Sequence, residues 1–293
     1  MNYISVYIYI HLDRKWNIQD NFSDELKSKY KNVHVIRKRI SAELDRWSLV
    51  EATYELLSAS HNKKYKYYSL VSGQDYPIKS LEYIINELKD NYPKFYMDCT
   101  PLQKKNWVYM KFRDTMLYKH LNYKLNCKIK RGVLRRIIKI PLFCINKIIA
   151  IKFNMKSVFD KYNIDLYGGS AWWIIPDSGI EYILRSKHEK SKCYELFKKF
   201  DFITPEETFF QTILMNSRFS SMLEVNPPYM IEQNCKTFAY FSDINKPFKG
   251  HPYTLTTENL EMLLNLDSFF ARKFDLSEDK NILDKLDEYN RCI

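Results

Sequence analysis

Tyr67-Tyr68-Ser69-Leu70-Val71-Ser72-Gly73-Gln74-Asp75-Tyr76-Pro77-Ile78-Lys79-Ser80-Leu81 is the stretch on which the reading of the fold turns. Its opening residues predict a strand over Tyr67 to Val71, and Ser72 to Pro77 are turn chemistry that breaks it. Ser80 then stands where a helix running to about Lys89 needs a cap. Upstream the same alternation repeats. Tyr3 to Ile10 is a β-branched and aromatic run that reads as a buried strand, delivering His11-Leu12-Asp13-Arg14-Lys15 at its carboxyl end. Val33 to Ile36 reads as a second short strand. Trp47 to Ser58 has helical periodicity, with Trp47, Val50, Tyr54 and Leu57 on one face. Strand-helix-strand-helix order predicts an α/β fold, a mostly parallel sheet flanked by helices, with ligands expected at the carboxyl ends of strands.

Downstream, Tyr167-Gly168-Gly169-Ser170-Ala171-Trp172-Trp173-Ile174-Ile175-Pro176 reads as a turn feeding an aromatic strand, and Asp177 or Ser178 starts another helix. Trp172 and Trp173 alternate across that strand, so one side chain can face the core and the other a ligand. Thr204-Pro205-Glu206-Glu207 opens a predicted helix to about Asn216, with proline at its first position and Thr204-x-x-Glu207 in capping-box spacing. Tyr229 to Ile231 and Phe238 to Phe241 read as strands, Thr256 to Leu264 and Ser277 to Tyr289 as helices. No repeat or low-complexity linker interrupts the chain, and residues 1–293 read as one domain.

At 293 residues, 45% hydrophobic and 28% charged, the composition excludes a disordered chain and an integral membrane protein as first readings. Six scattered cysteines without a Cys-x-x-Cys pair predict reduced thiols rather than a zinc site or a disulfide framework. Met1 to Ile10 lacks the basic region and small-residue cleavage site of a signal peptide, and no apolar run reaches the roughly 18 residues of a spanning helix. A cytoplasmic, bacterial setting is the expectation.

The net charge of +11 comes from one interval. Between Asp114 and Asp160 there is no acidic residue, yet eleven basic ones occur: Lys119, Lys124, Lys128, Lys130, Arg131, Arg135, Arg136, Lys139, Lys147, Lys152 and Lys156. Isoleucine, leucine, valine and phenylalanine interleave with them, the pattern of an interfacial amphipathic segment, which Pro141 is expected to split into two helices. A solvated face or nucleic acid would also accept such charge. The aliphatic content favours an anionic membrane surface, and no recognised nucleic-acid motif accompanies the cations. Residues 119–156 are thus expected to form an inserted basic helical arm, holding the protein on the inner membrane as a peripheral protein.

Five stretches, in order over most of the chain, together resemble the core-2/I-branching N-acetylglucosaminyltransferase family, glycosyltransferase family fourteen, which also contains the peptide-O-xylosyltransferases. They are His11-Leu12-Asp13, Leu70 to Lys79, Gly168-Gly169-Ser170-Ala171-Trp172-Trp173, Pro205-Glu206-Glu207-Thr208-Phe209-Phe210-Gln211-Thr212 and Phe269-Phe270-Ala271-Arg272-Lys273-Phe274-Asp275. The resemblance implies a GT-A fold and an inverting transfer from a UDP-sugar to a glycan hydroxyl, with no metal and no other cofactor. N-acetylglucosamine is implied ahead of xylose. For a bacterial member the implied setting is surface polysaccharide synthesis on a glycan or lipid-linked glycan acceptor.

Inversion by single displacement needs one base and a means of neutralising the departing diphosphate. The chain has no Asp-x-Asp triplet to hold a divalent cation. The resemblance gives the diphosphate to Lys273 with Arg272 beside it, and places Asp13, Gln74 and Asp75 at the donor and Gly169, Trp172 and Trp173 at the acceptor. Lys249 and His251 are candidates for a second phosphate ligand. Asp75 also reads as an Asx-turn before Tyr76-Pro77. Glu207 is the catalytic base by resemblance and a capping glutamate by local pattern, with Glu206 the lesser candidate base. Relatives carry a further strand and helix before His11, where only ten residues stand here, and the alternative is an inactive glycan- or nucleotide-binding relative.

Overall fold

The computed structural model describes residues 6–18, 21–61, 65–103, 107–114, 116–128, 133–201, 204–223, 234–241 and 251–292. The backbone forms two compact units, each from three stretches: 1–65, 101–168 and 180–217 in the first, and 66–100, 169–179 and 218–293 in the second.

In the first unit the strand Ile8–Ile10 pairs in parallel with Val33–Val35, Ile8 opposite Val33, and the helix Phe22–Lys29 connects them. The helix Trp47–Ser60 follows and buries the face its periodicity predicted: Trp47, Val50, Tyr54 and Leu57. That face meets an aromatic core. The Phe209 ring lies edge-on to Trp47 at 5.1 Å and to Phe197 at 5.3 Å, and Phe197 continues to Phe159 at 5.1 Å. Such pairs contribute about 0.5–1.5 kcal/mol each beyond their buried area, so much of the phenylalanine and tyrosine content here is core.

Three helices are described between 116 and 160 of this unit, Met116–Lys128, Val133–Phe153 and Met155–Asp160, and residues 129–132, Lys130 and Arg131 among them, lie outside the described residues. Pro141 does not split the segment as expected; it lies inside the helix Val133–Phe153. Proline removes one backbone donor and leaves the carbonyl of the residue four before it unpaired. Pro141 and Ile137 are both exposed, so water can satisfy that carbonyl and the helix survives. No described helix is long and apolar enough to cross a membrane.

In the second unit the expected strand Tyr67–Leu70 and helix Leu81–Asp90 are followed by a short strand, Tyr96–Met97, that was not expected. Ser80 caps the helix, its Oγ accepting from Tyr83 N at 3.2 Å. The strand Trp173–Pro176 lies between the two others and antiparallel to both, with Tyr67 opposite Pro176 and Tyr96 opposite Ile174. In a second sheet Asp75–Pro77 runs antiparallel to Phe270–Arg272, which is parallel to Thr237–Ala239. The described sheets are therefore small and mixed rather than one mostly parallel sheet. Local pattern showed the first strand and the helix but neither the short strand Tyr96–Met97 nor the entry of Trp173–Pro176 between the two strands, because strand order is decided by long-range pairing.

Ile78, Phe238, Leu263, Ala271, Ile282 and Leu286 form a buried core against the helix Asn281–Cys292. The helix begins at Asn281 rather than Ser277. Asp275 Oδ1 accepts from both Ser277 N and Ser277 Oγ, and that side-chain turn competes with a helical start. The expected strand Tyr229 to Ile231 falls outside the described residues.

Candidate active site

The second unit carries most of the predicted donor and acceptor residues. The Ser72–Asp75 turn is closed by Asp75, whose Oδ2 accepts from Ser72 N at 2.7 Å and whose Oδ1 accepts from Ser72 Oγ at 2.9 Å. The pairing of Asp75 with Arg272 across the two antiparallel strands sets Arg272 Nε 3.5 Å from Asp75 Oδ1. The Asp75 side chain has no exposed surface, and burial raises its pKa while Arg272 and the two Ser72 donors oppose the rise. On the other side the guanidinium lies over the Trp172 ring, 4.3 Å from its centroid. Asp75, Arg272 and Trp172 form one stack; the expected Asx-turn does not form, since Pro77 has no N–H to give, and the carboxylate closes the turn backward onto Ser72 while lying beside Arg272.

Lys273 differs from its neighbour. It is half-buried, and among the described residues no acidic group lies within ion-pair distance of its Nζ. Phe274 N donates to Gln74 O at 2.9 Å, bringing Lys273 alongside the exposed Gln74 at the tip of the turn. Arg272 is thus committed inside the unit, whereas Lys273 has no ion pair among the described residues and acts on Asp275 only through longer-range charge. His251 is exposed, and Lys249 lies outside the described residues.

The alternation of the tryptophans resolves clearly. Trp173 is 1% exposed in the sheet core, which corrects its expected place at an acceptor, while Trp172 keeps surface. Inward residues of a strand are two apart, so neighbours could not both have reached a ligand. Gly169 has a packing reason: a Cβ there would stand 1.8 Å from the carbonyl oxygen of Asp98, so no other residue fits.

In the first unit the segment around Glu207 is not the helix start predicted. Thr204 adopts φ 54°, ψ 60° and makes no side-chain cap; Pro205–Glu207 is a single 3-10 turn, and the α-helix begins at Phe209. The capping box is absent. Glu207 N donates to Thr204 O at 3.1 Å, and Thr208 Oγ1 donates to the same oxygen at 2.9 Å, so backbone and Thr208 hold the turn. Glu207 is half-buried at this turn.

Glu206 has a different place. Its Oε1 accepts from Asp45 N at 3.0 Å, and its Oε2 is buried without a hydrogen-bond partner. Burial, with Glu207 and Asp45 adding repulsion, pushes its pKa from the ordinary 4.5 up to about 7. Asp201 anchors the same loop, accepting from Arg46 Nε at 2.7 Å and from Trp47 N at 2.5 Å. Because the folded state binds the Glu206 proton more tightly than the unfolded chain, its stabilising contribution is present below about 4.5 and is lost as pH rises through about 7. Glu206→Gln keeps an acceptor for Asp45 N and no longer titrates. The variant should therefore gain on the order of 3 kcal/mol over the parent between pH 4.5 and 8, read from urea unfolding at several pH values. Parallel stability profiles would show that Glu206 does not titrate in that window.

His11 and Asp13 build the loop after the first strand. His11 Nε2 accepts from Ile40 N at 2.8 Å, and burial lowers its pKa. Asp13 Oδ1 accepts from Lys15 N at 2.7 Å and Oδ2 from Ala42 N at 3.2 Å, while Arg39 binds the carbonyls of Leu12, Asp13 and Trp16. Each Asp13 oxygen already serves the loop backbone. Asp13 and Glu207 lie in the first unit, and Gln74, Asp75, Gly169, Trp172, Trp173, Arg272 and Lys273 in the second.

The Arg272–Trp172 stack and the double clamp of Asp201 and Glu206 on residues 45–47 were not legible in the sequence. Each joins residues at least a hundred positions apart, with no local pattern to link them. The signal available for Arg272 was its place beside Lys273 in the C-terminal motif.

A family model described as Core-2/I-Branching enzyme matches residues 5–237. Two beta-glucuronosyltransferases of Arabidopsis thaliana, GlcAT14B and GlcAT14A, are each 25% identical to this chain, over 122 and 123 residues. The matched part is 42% of this chain and 25% of either relative, so the chain spans about a quarter of the length of these curated relatives. With the family match running over most of its length, the chain belongs to the Core-2/I-Branching enzyme family.

Proposed function

We propose that this chain is an inverting, metal-independent glycosyltransferase of GT-A type that moves a sugar from a UDP-sugar to a hydroxyl of a glycan. The observation that carries the reading at the level of chemistry is Lys273, a cation with no ion pair among the described residues, beside a neighbour that is fixed by Asp75 and Trp172. In the proposed step the Glu207 carboxylate takes the acceptor hydroxyl proton, and the acceptor oxygen forms its bond to the sugar anomeric carbon. The bond from that carbon to the diphosphate oxygen breaks with inversion. The electron pair leaves on UDP, where the Lys273 ammonium neutralises it.

Glu206 has the pKa nearer to a working base, but its Oε1 is engaged and its Oε2 is enclosed. A base must first reach the proton. Glu207 is the glutamate that the motif resemblance makes the base, and the Asp45 bond and the enclosed oxygen are particular to Glu206. Gln74 and Asp13 supply donor contacts in this reading, Asp75 acts through Arg272, and Trp172 with the Gly169 turn faces the acceptor. The acceptor is a glycan or lipid-linked glycan of a bacterial surface polysaccharide, met at the cytoplasmic face of the membrane.

N-acetylglucosamine is the proposed donor sugar, ahead of xylose, and the named activity of the relatives adds glucuronic acid to the set to be tested. Thermal stabilisation by a panel of UDP-sugars tests donor binding without knowledge of the acceptor. A ligand at 100 times its Kd should stabilise by about 2.7 kcal/mol, and EDTA should leave the shift unchanged. No shift with any UDP-sugar, or a shift that requires manganese, would reject the reading.

A further inference from the structure

The helix Val133–Phe153 is oriented the wrong way round for a helix that meets only water. Its inward line is anchored by a polar residue: Asn146 is 3% exposed and donates through Nδ2 to Asp114 Oδ1 at 2.8 Å, with Lys139, Leu142 and Ala150 half-buried on the same side. Its outward line is aliphatic. Ile137, Ile140, Ile145 and Ile148 are 59%, 63%, 54% and 72% exposed. A surface helix normally buries its apolar stripe and shows charge to solvent. Here Asn146, the one fully buried side chain of this helix among the described residues, ties it down by Asp114, and the apolar stripe is left over. Leu117, on the helix Met116–Lys128 that packs against it, is 64% exposed and adds to the apolar surface.

Charge decides which occupant this surface fits. The interval from 115 to 159 has eleven cations and no acid, and Lys147 is exposed next to the apolar stripe. A second copy of the chain would bring like charges together with no acidic complement in the segment. A surface that offers both anionic heads and an apolar interior matches both features at once.

We infer that the outward face of the helix Val133–Phe153 is a docking plane for an anionic bilayer, with Ile137, Ile140, Ile145 and Ile148 entering the acyl boundary and the flanking cations on the headgroups. The inference deepens the membrane part of the proposed function and rests on that reading, since it names the face that would present the enzyme to a lipid-linked acceptor. Insertion and charge contribute separately, so each has its own variant.

The test is co-sedimentation of the full chain with vesicles of neutral phosphatidylcholine or of phosphatidylcholine with about a third phosphatidylglycerol. Binding should be at least about tenfold stronger to the anionic vesicles and weaken with salt. The double variant Ile145→Asp with Ile148→Asp should lose at least about tenfold of that binding. Its side chains are solvent-exposed, so folding is preserved, and Leu276→Asp, at a residue 65% exposed in the second unit, is the control that should bind as the parent does. Equal binding to neutral vesicles, or anionic binding unchanged by the double variant, overturns the inference. So does a parent that is dimeric without vesicle binding and becomes monomeric in the double variant, which would assign the face to a second copy. UDP-induced thermal stabilisation, measured on the same samples, separates the two ideas: loss of vesicle binding with that stabilisation intact leaves sugar transfer standing, and the reverse outcome leaves the docking plane standing.

Discussion

Glu207→Gln should yield a folded protein that still binds UDP but transfers sugar about 100- to 10,000-fold more slowly than the parent. The expectation of folding comes from how the turn is held. Had the predicted capping box existed, the Glu207 side chain would have supported the helix start. In the structure Thr204 sits at positive φ and caps nothing, and the turn closes through Glu207 N and Thr208 Oγ1 on the carbonyl of Thr204. Neither of those bonds uses the Glu207 carboxylate. The amide is nearly isosteric, keeps an acceptor oxygen and cannot take a proton, so a loss of transfer reports proton abstraction rather than collapse of the turn. Glu206→Gln is the matched comparison. It changes the neighbouring carboxylate, whose role is to hold Asp45 N, and should keep most of the transfer rate. Transfer by Glu207→Gln near the parental rate, measured with a donor and acceptor on which the parent is active, would remove Glu207 from the role of base.

The contrast between the two glutamates shows where sequence reading reached and where it stopped. Elements with strong local signals came through: the amphipathic face of Trp47–Ser60, the Ser80 cap and the strand Tyr67–Leu70 each depend on residues within a few positions of one another. The strand Trp173–Pro176 was recognised as a strand, but its insertion between Tyr67–Leu70 and Tyr96–Met97 was not, because nothing local specifies a partner a hundred residues away. Thr204-Pro205-Glu206-Glu207 misled for a related reason. Its spacing suits a capping box, yet the long-range bond of Glu206 to Asp45 and the positive φ at Thr204 belong to tertiary structure that overrides the local preference. Pro141 shows the same override, tolerated within a helix because the carbonyl it frees faces water. Of the site, the residues in the motifs were legible; that Arg272 is held by Asp75 and Trp172 while Lys273 has no such ion pair among the described residues depends on long-range packing that no local pattern carries.

That division leads to the second large effect. Lys273→Ala should weaken UDP binding by about 10- to 100-fold, the value of one charge-assisted hydrogen bond to phosphate. The fold should tolerate the change, because the Lys273 backbone oxygen keeps its bond from Leu255 N at 2.9 Å and its ammonium acts on Asp275 only through longer-range charge, with no ion pair among the described residues. Arg272→Ala should behave differently. It removes the charged partner of a fully buried carboxylate and leaves Asp75 with the Ser72 donors alone, which destabilises the second unit by up to about 3–5 kcal/mol. Lys273→Ala is therefore the variant that separates phosphate neutralisation from structure: lower affinity for UDP at unchanged melting temperature. Lys273→Arg should restore part of the affinity, since charge matters more than shape for a diphosphate in partly open water. Calorimetric titration of UDP, with and without EDTA, reads all of these. Parental affinity in Lys273→Ala would mean that the diphosphate is neutralised elsewhere, whereas a loss of affinity in the parent on adding EDTA would mean that a divalent ion, not this lysine, carries the charge.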